Sequence, residues 1–471
     1  MKRLVYIFLI ALCIFACLGL WSCQGPDGVD ALTFVEVEGG YMVKGCAKSA
    51  KNVEIPSEYK GLPVVAIQDK GFMNCTRLES VKIPDTVTKI GESAFGNCYK
   101  LKSIALPSNL TKISPFMFYC CSELEKITIP QGVNEIGENA FWHCGGLTSI
   151  TIPEGVVEIG ENAFWCCVGL TSITIPEGVV EIGRMALYCT AIEELNLPSS
   201  LVSIGDEAFG RMDKLKSITI PSGVAKLGEN VFVECYNLEV IEVAEENESY
   251  KSVDGALYSK DGKALVKYPQ GKSQESFEIP MGVEKIGSWA FNEVMKLKSI
   301  EIPDGITIIE TGAFRYCSSV ETLVLPDSIT VIEGYAFQSC FALKSIVVPK
   351  GVKEIGEYTF SYCNSLENVL LPEGIVSIGE NAFSGCFSLK AQDLPSTVQS
   401  IDDGAFSGCD KLEKIVIPKS VTKMGSRVFL DCEGLRIYCR ATEKPKDWED
   451  DWNRATLRGS AHFEVVWGYT E

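Results

Sequence analysis

The stretch LTSITIPEGVVEIGENAFWCC, residues 147–167, carries the period that organises the chain. Its first part, Leu147 to Ile152, alternates polar residues with β-branched apolar ones, which is the pattern of a short half-buried strand. Pro153 ends that strand, because proline has no N–H to give to a ladder. The run VVEIG (Val156 to Gly160) reads as a second short strand closed by glycine. ENAFWCC (Glu161 to Cys167) places Asn and Ala before a bulky apolar residue, which predicts a single helical turn. LTSITIPEGVVEIG then recurs verbatim at 170–183.

Weaker copies fill the rest of the chain. Prolines at 84, 107, 130, 153 and 176 are spaced by 23 residues, and so are those from 280 to 418. One step, Pro176 to Pro198, is 22, and another, Pro221 to Pro280, is 59, one period plus 36. A unit this short cannot bury its own apolar residues, so stacking on its neighbours is obligatory. Equivalent residues then form columns, such as Leu147 with Leu170, Ile150 with Ile173 and Phe141 with Phe164.

The elements LxxIxIP and IGxxAFxxC, as in Leu343 to Pro349 and Ile378 to Cys386, resemble the BspA-type leucine-rich repeats of bacterial surface proteins over roughly residues 30–450. The resemblance implies a right-handed repeat solenoid, mainly β with short helical turns, of about 15 units. Residues 53–240 and 277–435 are the two repeat blocks. Between them lies an insertion, 241–276, in which Lys260-Asp261-Gly262-Lys263 separates two apolar runs. That is a hairpin signal, so a β-hairpin island interrupts one continuous solenoid. Two separately folded blocks are the alternative. Residues 23–52, with Tyr41 to Ile67 spanning cap and first repeat, resemble the family's N-terminal linker and cap. Residues 436–471 resemble its C-terminal cap. Caps are needed because an open stack of strands would pair with another chain.

The chain of 471 residues carries 43 Lys and Arg against 62 Asp and Glu, a net charge of −19. That sign argues against a nucleic-acid partner. Only His143 and His462 are available for imidazole chemistry. Residues 1–22 combine a basic start with an uncharged apolar run and read as a signal peptide. The stretch LWSC, ending at Cys23, resembles a lipoprotein cleavage site, with Trp21 in an unusual place; an uncut membrane anchor is the alternative. Lipidation at Cys23 implies an exported lipoprotein in the cell envelope, at the outer-membrane surface of a Gram-negative bacterium. Contact with the membrane is then only through the lipid.

Most of the 20 cysteines fall three residues after the repeat phenylalanine, from Cys75 to Cys432, and Cys189 is assigned the same slot in the 22-residue unit. Met212 and Val294 replace the thiol in two units, which a core-filling residue tolerates and a ligand or disulfide partner would not. Neighbouring Cβ atoms in a ladder run parallel about 4.8 Å apart, whereas a disulfide needs them converging near ~3.8 Å. The column is therefore expected to be buried and reduced, although exported proteins ordinarily form disulfides. Cys120, His143 and Cys166 occupy the preceding position in successive units, a set zinc would accept. The outer two would lie about 9.6 Å apart, too far for one zinc with Zn–S near ~2.3 Å. No metal site, cofactor or catalytic constellation is assigned, and the chain reads as a non-enzyme.

Recognition must then be written on the surface. The middle residue of each I-x-I strand faces outward, and Val324, Val347 and Leu370 form an apolar stripe there beside Thr322, Ser345 and Asn368. A contiguous exposed apolar patch can mark a protein-binding site. Trp142 and Trp165 form a second candidate, an aromatic edge for stacking on a glycan; packing on neighbouring coils is the plainer reading. The resemblance implies adhesion to a host or matrix protein, such as fibronectin or fibrinogen. A glycan-binding accessory lipoprotein and a structural envelope protein are the alternatives.

Overall fold

In the computed structural model, which describes residues 27–457 and 461–470, the chain is a β-solenoid of about 18 turns. The turn count exceeds the 15 or so repeats legible in the sequence because the caps and the insertion also contribute strands. The signal segment and Cys23 lie outside the described residues. Two compact units divide between Ala191 and Ile192.

In the first unit, the strands Asn52–Glu54, Ser80–Lys82, Ser103–Ala105 and Lys126–Ile127 form one parallel ladder. Ser149–Thr151 pairs in register with Ser172–Thr174. The second strand of each coil is only two residues long, and Glu158–Ile159 joins Glu135–Ile136 to Glu181–Ile182. Ahead of the coils, Leu32–Val37 and Gly40–Cys46 make an antiparallel hairpin, and Gly40–Cys46 also pairs with Leu62–Ile67. That hairpin covers the open end of the stack.

The second unit contains the insertion. Ala256–Ser259 and Ala264–Lys267 form the hairpin expected around Asp261-Gly262, and Tyr250–Val253 adds a third antiparallel strand. Ala264–Lys267 then pairs in parallel with Lys285–Ile286 and returns the chain to the solenoid. Tyr268 enters the phenylalanine column here, stacked on Phe291 at 5.4 Å. At the far end Trp448 and Trp452 are buried against Phe429 and Trp467, an aromatic cap on the last coil.

The helical turn expected in ENAFWCC is not a helix. Among the described residues the only helix is the short 3₁₀ turn Gly28–Ala31. In the coil of Phe141, alternate N–H groups leave for the next coil: Asn139 donates to Glu161 O, Phe141 to Ala163 O and His143 to Trp165 O, each at 2.8 Å. The intervening N–H groups of Ala140, Trp142 and Cys144 close local turns on Gly137, Asn139 and Phe141. Of the three residues that send their N–H outward, Asn139 and His143 lie in the left-handed region, with φ of 55° and 57°. A non-glycine residue there costs about 1–2 kcal/mol, which the inter-coil bonds and the buried column offset. Asn is the least penalised side chain in that conformation, which accounts for Asn139, Asn162 and Asn381 at one of the two strained positions.

The columns are as expected in kind and more specific in chemistry. Phe72, Phe95, Phe118, Phe141 and Phe164 stack at 5.0–5.6 Å. From Phe291 to Phe429 the second unit repeats the arrangement at 5.1–5.8 Å. Each column cysteine is a donor as well as filler. Cys144 Sγ donates to Phe118 O at 3.2 Å and Cys167 Sγ to Phe141 O at 3.1 Å, the carbonyl of the phenylalanine one coil earlier. The bond recurs as far as Cys432 and Phe406. The column thiols are free. Cys189 does not belong to the column: its φ of 60° places it at the left-handed position, and the buried Thr190 takes the slot, with Oγ1 donating to Leu187 O. The one-residue deletion in that unit falls after the turn, not before it.

Burial pushes up the thiols of Cys98, Cys121, Cys144, Cys167, Cys235, Cys317, Cys363, Cys386 and Cys409. The unfolded chain loses these protons above pH 9 while the folded chain keeps them, so the folded state binds more protons and stability falls as pH rises. Thermal denaturation followed from pH 7 to 11 is expected to show no loss up to about pH 8.5 and a fall beyond pH 9. Replacing Cys144 and Cys167 by Val is expected to shallow that fall; an unchanged slope would contradict it.

Candidate functional site

The strand face of the second unit presents three parallel columns. Ser299, Thr322, Ser345 and Asn368 are linked coil to coil by parallel pairing. Two residues on, Glu301, Val324, Val347, Leu370 and Asp393 point outward, with Val347 paired directly to Leu370. Val324, Val347 and Leu370 are 80%, 58% and 63% exposed. The alternation that buries Ile346 and Val369 forces their neighbours into solvent, so the stripe follows from strand geometry. Thr322, Ser345 and Asn368 are exposed beside it. Further along the column, Val416 is buried.

A third column, not singled out in the sequence, flanks these two. Glu275, Lys298, Glu321, Lys344, Glu367, Lys390 and Glu413 alternate in sign, each N–H bonded to the preceding carbonyl. Lys298 pairs with Glu275 at 2.9 Å, Lys344 with Glu321 at 2.6 Å and Lys390 with Glu367 at 2.5 Å. Lys344 holds the Glu321 carboxyl below its usual range. Exposed pairs like these contribute little to stability, but they leave the border of the stripe nearly neutral in an otherwise acidic chain. The signal was present in the sequence as one letter every 23 residues.

Trp142 and Trp165 lie in the first unit in a ladder of four rings. Tyr119 stacks on Trp142 at 4.5 Å, Trp142 on Trp165 at 4.8 Å, and Trp165 on Tyr188 at 6.1 Å. Their faces cover one another, so only ring edges meet solvent. His143 meets both tryptophans edge-on. Cys120, His143 and Cys166 sit at the left-handed position of successive coils, with φ of 58°, 57° and 52°. They are not uniformly outward: His143 is exposed, Cys120 half-buried and Cys166 buried. Among the described residues no group of three or more His, Cys, Asp or Glu is arranged to hold a metal ion.

A cavity of about 490 Å³ lies within the second unit, where the insertion meets the coil before it. Up to that coil the ladder is regular, with Phe209 donating to Val231 O and Arg211 to Val233 O. There Glu234 N–H turns instead to the Glu293 carboxylate, 59 residues on. Leu227, Phe232, Leu257, Val266 and Trp289 make the apolar wall. Lys267, also on the wall, is buried in the slot that alanine fills in ordinary coils, and its ammonium donates to Trp289 O at 3.1 Å. Asn230 Oδ1, on the cavity wall, and Tyr258 OH, Gln270 Oε1 and both amide atoms of Asn292, in the insertion and the coil after it, are buried without a hydrogen-bond partner among the described residues. Buried polar atoms are rarely left so, so this region departs most from the repeat's own logic.

A family model described as the BspA type leucine rich repeat region matches residues 41–167, 134–253, 268–364 and 330–441. Among solved structures, a leucine-rich cell surface protein from Faecalibacterium prausnitzii is 30% identical, with 91% of this chain and 97% of that one covered and a TM-score of 0.51. A leucine-rich repeat protein from Eubacterium ventriosum is 24% identical over 88% of this chain and 95% of that one, with a TM-score of 0.62, a likeness of fold. No curated protein matches the chain.

Burial lowers the Lys267 ammonium to about 8. Its folded pKa lies below the unfolded one, so protonation opposes folding at neutral pH and the opposition fades as pH rises through 8 towards 10. Lys267→Met is expected to stabilise the second unit at pH 7 by about 3 kcal/mol, with the advantage over the parent shrinking by pH 9.5. Parallel denaturation curves with no difference at pH 7 would refute this.

Proposed function

The chain belongs to the BspA-type leucine-rich repeat family, and on that premise we propose that it is a cell-surface lipoprotein that binds protein through its strand face, without catalysis. The observation that carries this reading is the exposed stripe of Val324, Val347 and Leu370, bordered by a charge column that cancels itself. An apolar strip on a preformed sheet loses little conformational entropy when a partner covers it, which suits recognition by a solenoid. The partner proposed is a host or matrix protein. A nucleic-acid partner fits poorly with a net charge of −19.

Placement at the cell surface draws support from the relative in Faecalibacterium prausnitzii, itself described as a cell surface protein. No helix among the described residues is long and apolar enough to cross a membrane. Attachment is proposed through lipid on Cys23, which anchors the chain to the outer membrane of a Gram-negative envelope. Glycan binding on the faces of Trp142 and Trp165 loses support, because those faces are stacked on one another.

Pull-down from host matrix extracts with the purified chain tests the stripe. Val347→Glu with Leu370→Glu is expected to weaken capture of the bound protein at least tenfold, the scale of losing about 1.4 kcal/mol at an interface. Both side chains are exposed, so circular dichroism should not change; undiminished capture would sink the stripe. In cells of the source organism, Cys23→Ala is expected to abolish incorporation of labelled fatty acid and release the protein from the membrane fraction. Persistent labelling would overturn the anchor.

A further inference from the structure

The thiol column has an end, and its chemistry changes there. Every regular column cysteine donates to a phenylalanine carbonyl 26 residues earlier, as Cys98 does to Phe72 O at 3.2 Å. Counting back 26 residues from Cys75 reaches Ser49, in the cap, where no repeat phenylalanine exists. Cys75 Sγ instead lies 3.9 Å from Cys46 O, at the close of the cap strand Gly40–Cys46. The ammonium of Lys48 stands 3.9 Å from the same sulfur and also donates to Met73 O. The two thiols are close enough for each to shift the other's titration, Cys46 upward and Cys75 downward. Cys46 is half-buried and Cys75 fully buried.

We propose that Cys46 and Cys75 are a dithiol site that closes to a disulfide, clasping the N-terminal cap to the first coil. The geometric objection that protects the rest of the column does not apply here. Adjacent coils present parallel Cβ vectors, but Cys46 reaches Cys75 from the cap hairpin and not from an equivalent coil position. The pair also has a cation 3.9 Å from one of its sulfurs. Cys46 and the Lys48 ammonium favour a thiolate at Cys75, so its proton comes off below the ordinary thiol range. Cys121 and Cys144, with no cation beside them, are pushed up by burial.

The co-reactant is a low-molecular-weight disulfide or a disulfide-bearing oxidoreductase, R–S–S–R. With one proton lost from the pair, transfer of the remaining one to Cys75 leaves the thiolate on Cys46, the sulfur nearer the surface. Cys46 attacks R–S–S–R, forms Cys46–S–S–R and expels RS⁻. Cys75, deprotonated, then attacks Cys46 Sγ, forms the Cys46–Cys75 bond and expels the second RS⁻. Two electrons pass to R–S–S–R, which leaves as two thiols with the protons that Cys46 and Cys75 gave up.

The test equilibrates the full chain with oxidised glutathione, alkylates under denaturing conditions and maps the peptides by mass spectrometry. The expected product is a single cross-link, Cys46 to Cys75, with the inner column alkylated. Hydrogen exchange of residues 32–46 is expected to slow on the order of 100-fold in the oxidised form, the scale of closing a loop of this length. Cys75→Ser is expected to trap glutathione on Cys46, and Lys48→Met to slow closure about tenfold. Should Cys75→Ser disturb the coil, Cys46→Ser changes only a half-buried cap position and is expected to leave Cys75 free and unmodified. Recovery of Cys46 and Cys75 as alkylated thiols after equilibration, or a stable mixed disulfide in the parent chain, would overturn the proposal.

Discussion

One carbonyl per coil holds this structure together. The column phenylalanine's C=O accepts the N–H of the cysteine three residues on and the Sγ of the cysteine one coil later, as Phe118 does for Cys121 and Cys144. Both donors converge on an oxygen in the apolar interior, where an unmet carbonyl would be costly. The thiol is small enough to sit over a stacked ring and polar enough to complete that oxygen. This is why Phe and Cys travel together in the repeat, and why the coil's alternate N–H groups are free to reach outward. The left-handed positions lie among those outward donors. The ring stack follows from coil spacing, since centroids 5.1–5.6 Å apart are what parallel coils deliver.

Where the repeat is interrupted, that logic is interrupted too. Met212 and Val294 fill the thiol slot without a donor, and Val294 lies in the first coil after the insertion. Lys267 replaces a column alanine, and the unpartnered Oε1 of Gln270 and amide of Asn292 are buried in the same stretch of chain. The insertion thus brings buried charge, Lys267 and Glu293, into a core whose other buried polar groups are uncharged. At the N-terminal end the same column meets a cap that offers a lysine, a second thiol and the Cys46 carbonyl in place of a phenylalanine carbonyl.

The strands, their register and the hairpin were legible because each depends on local rules: alternation at Ser149–Thr151, proline after it, turn residues at Asp261-Gly262. The turn at ENAFWCC was misread because composition cannot tell an i→i−4 bond from one leaving for a neighbouring coil; only the stack supplies the acceptor at Ala163 O. The slot of Cys189 was misassigned for a related reason: a one-residue deletion has two sequence alignments, and burial of Thr190 chooses between them. The stripe of Val324, Val347 and Leu370 was readable as soon as the repeat was aligned. The occlusion of the Trp142 and Trp165 faces was not, since it needs the distance between coils.

The alternating charge column bears on how such a gene can change. Near-identical repeats invite unequal crossover, in which one unit is gained or lost. In the first unit the residues at this position in the verbatim copies are Thr148 and Thr171, so removing or adding one period there leaves the column electrically untouched. Between Glu275 and Glu413 the sign reverses at every coil. An exchange of one period would set Glu against Glu or Lys against Lys along an otherwise regular face; an exchange of two would restore it. The charge pattern therefore has a parity that its backbone lacks.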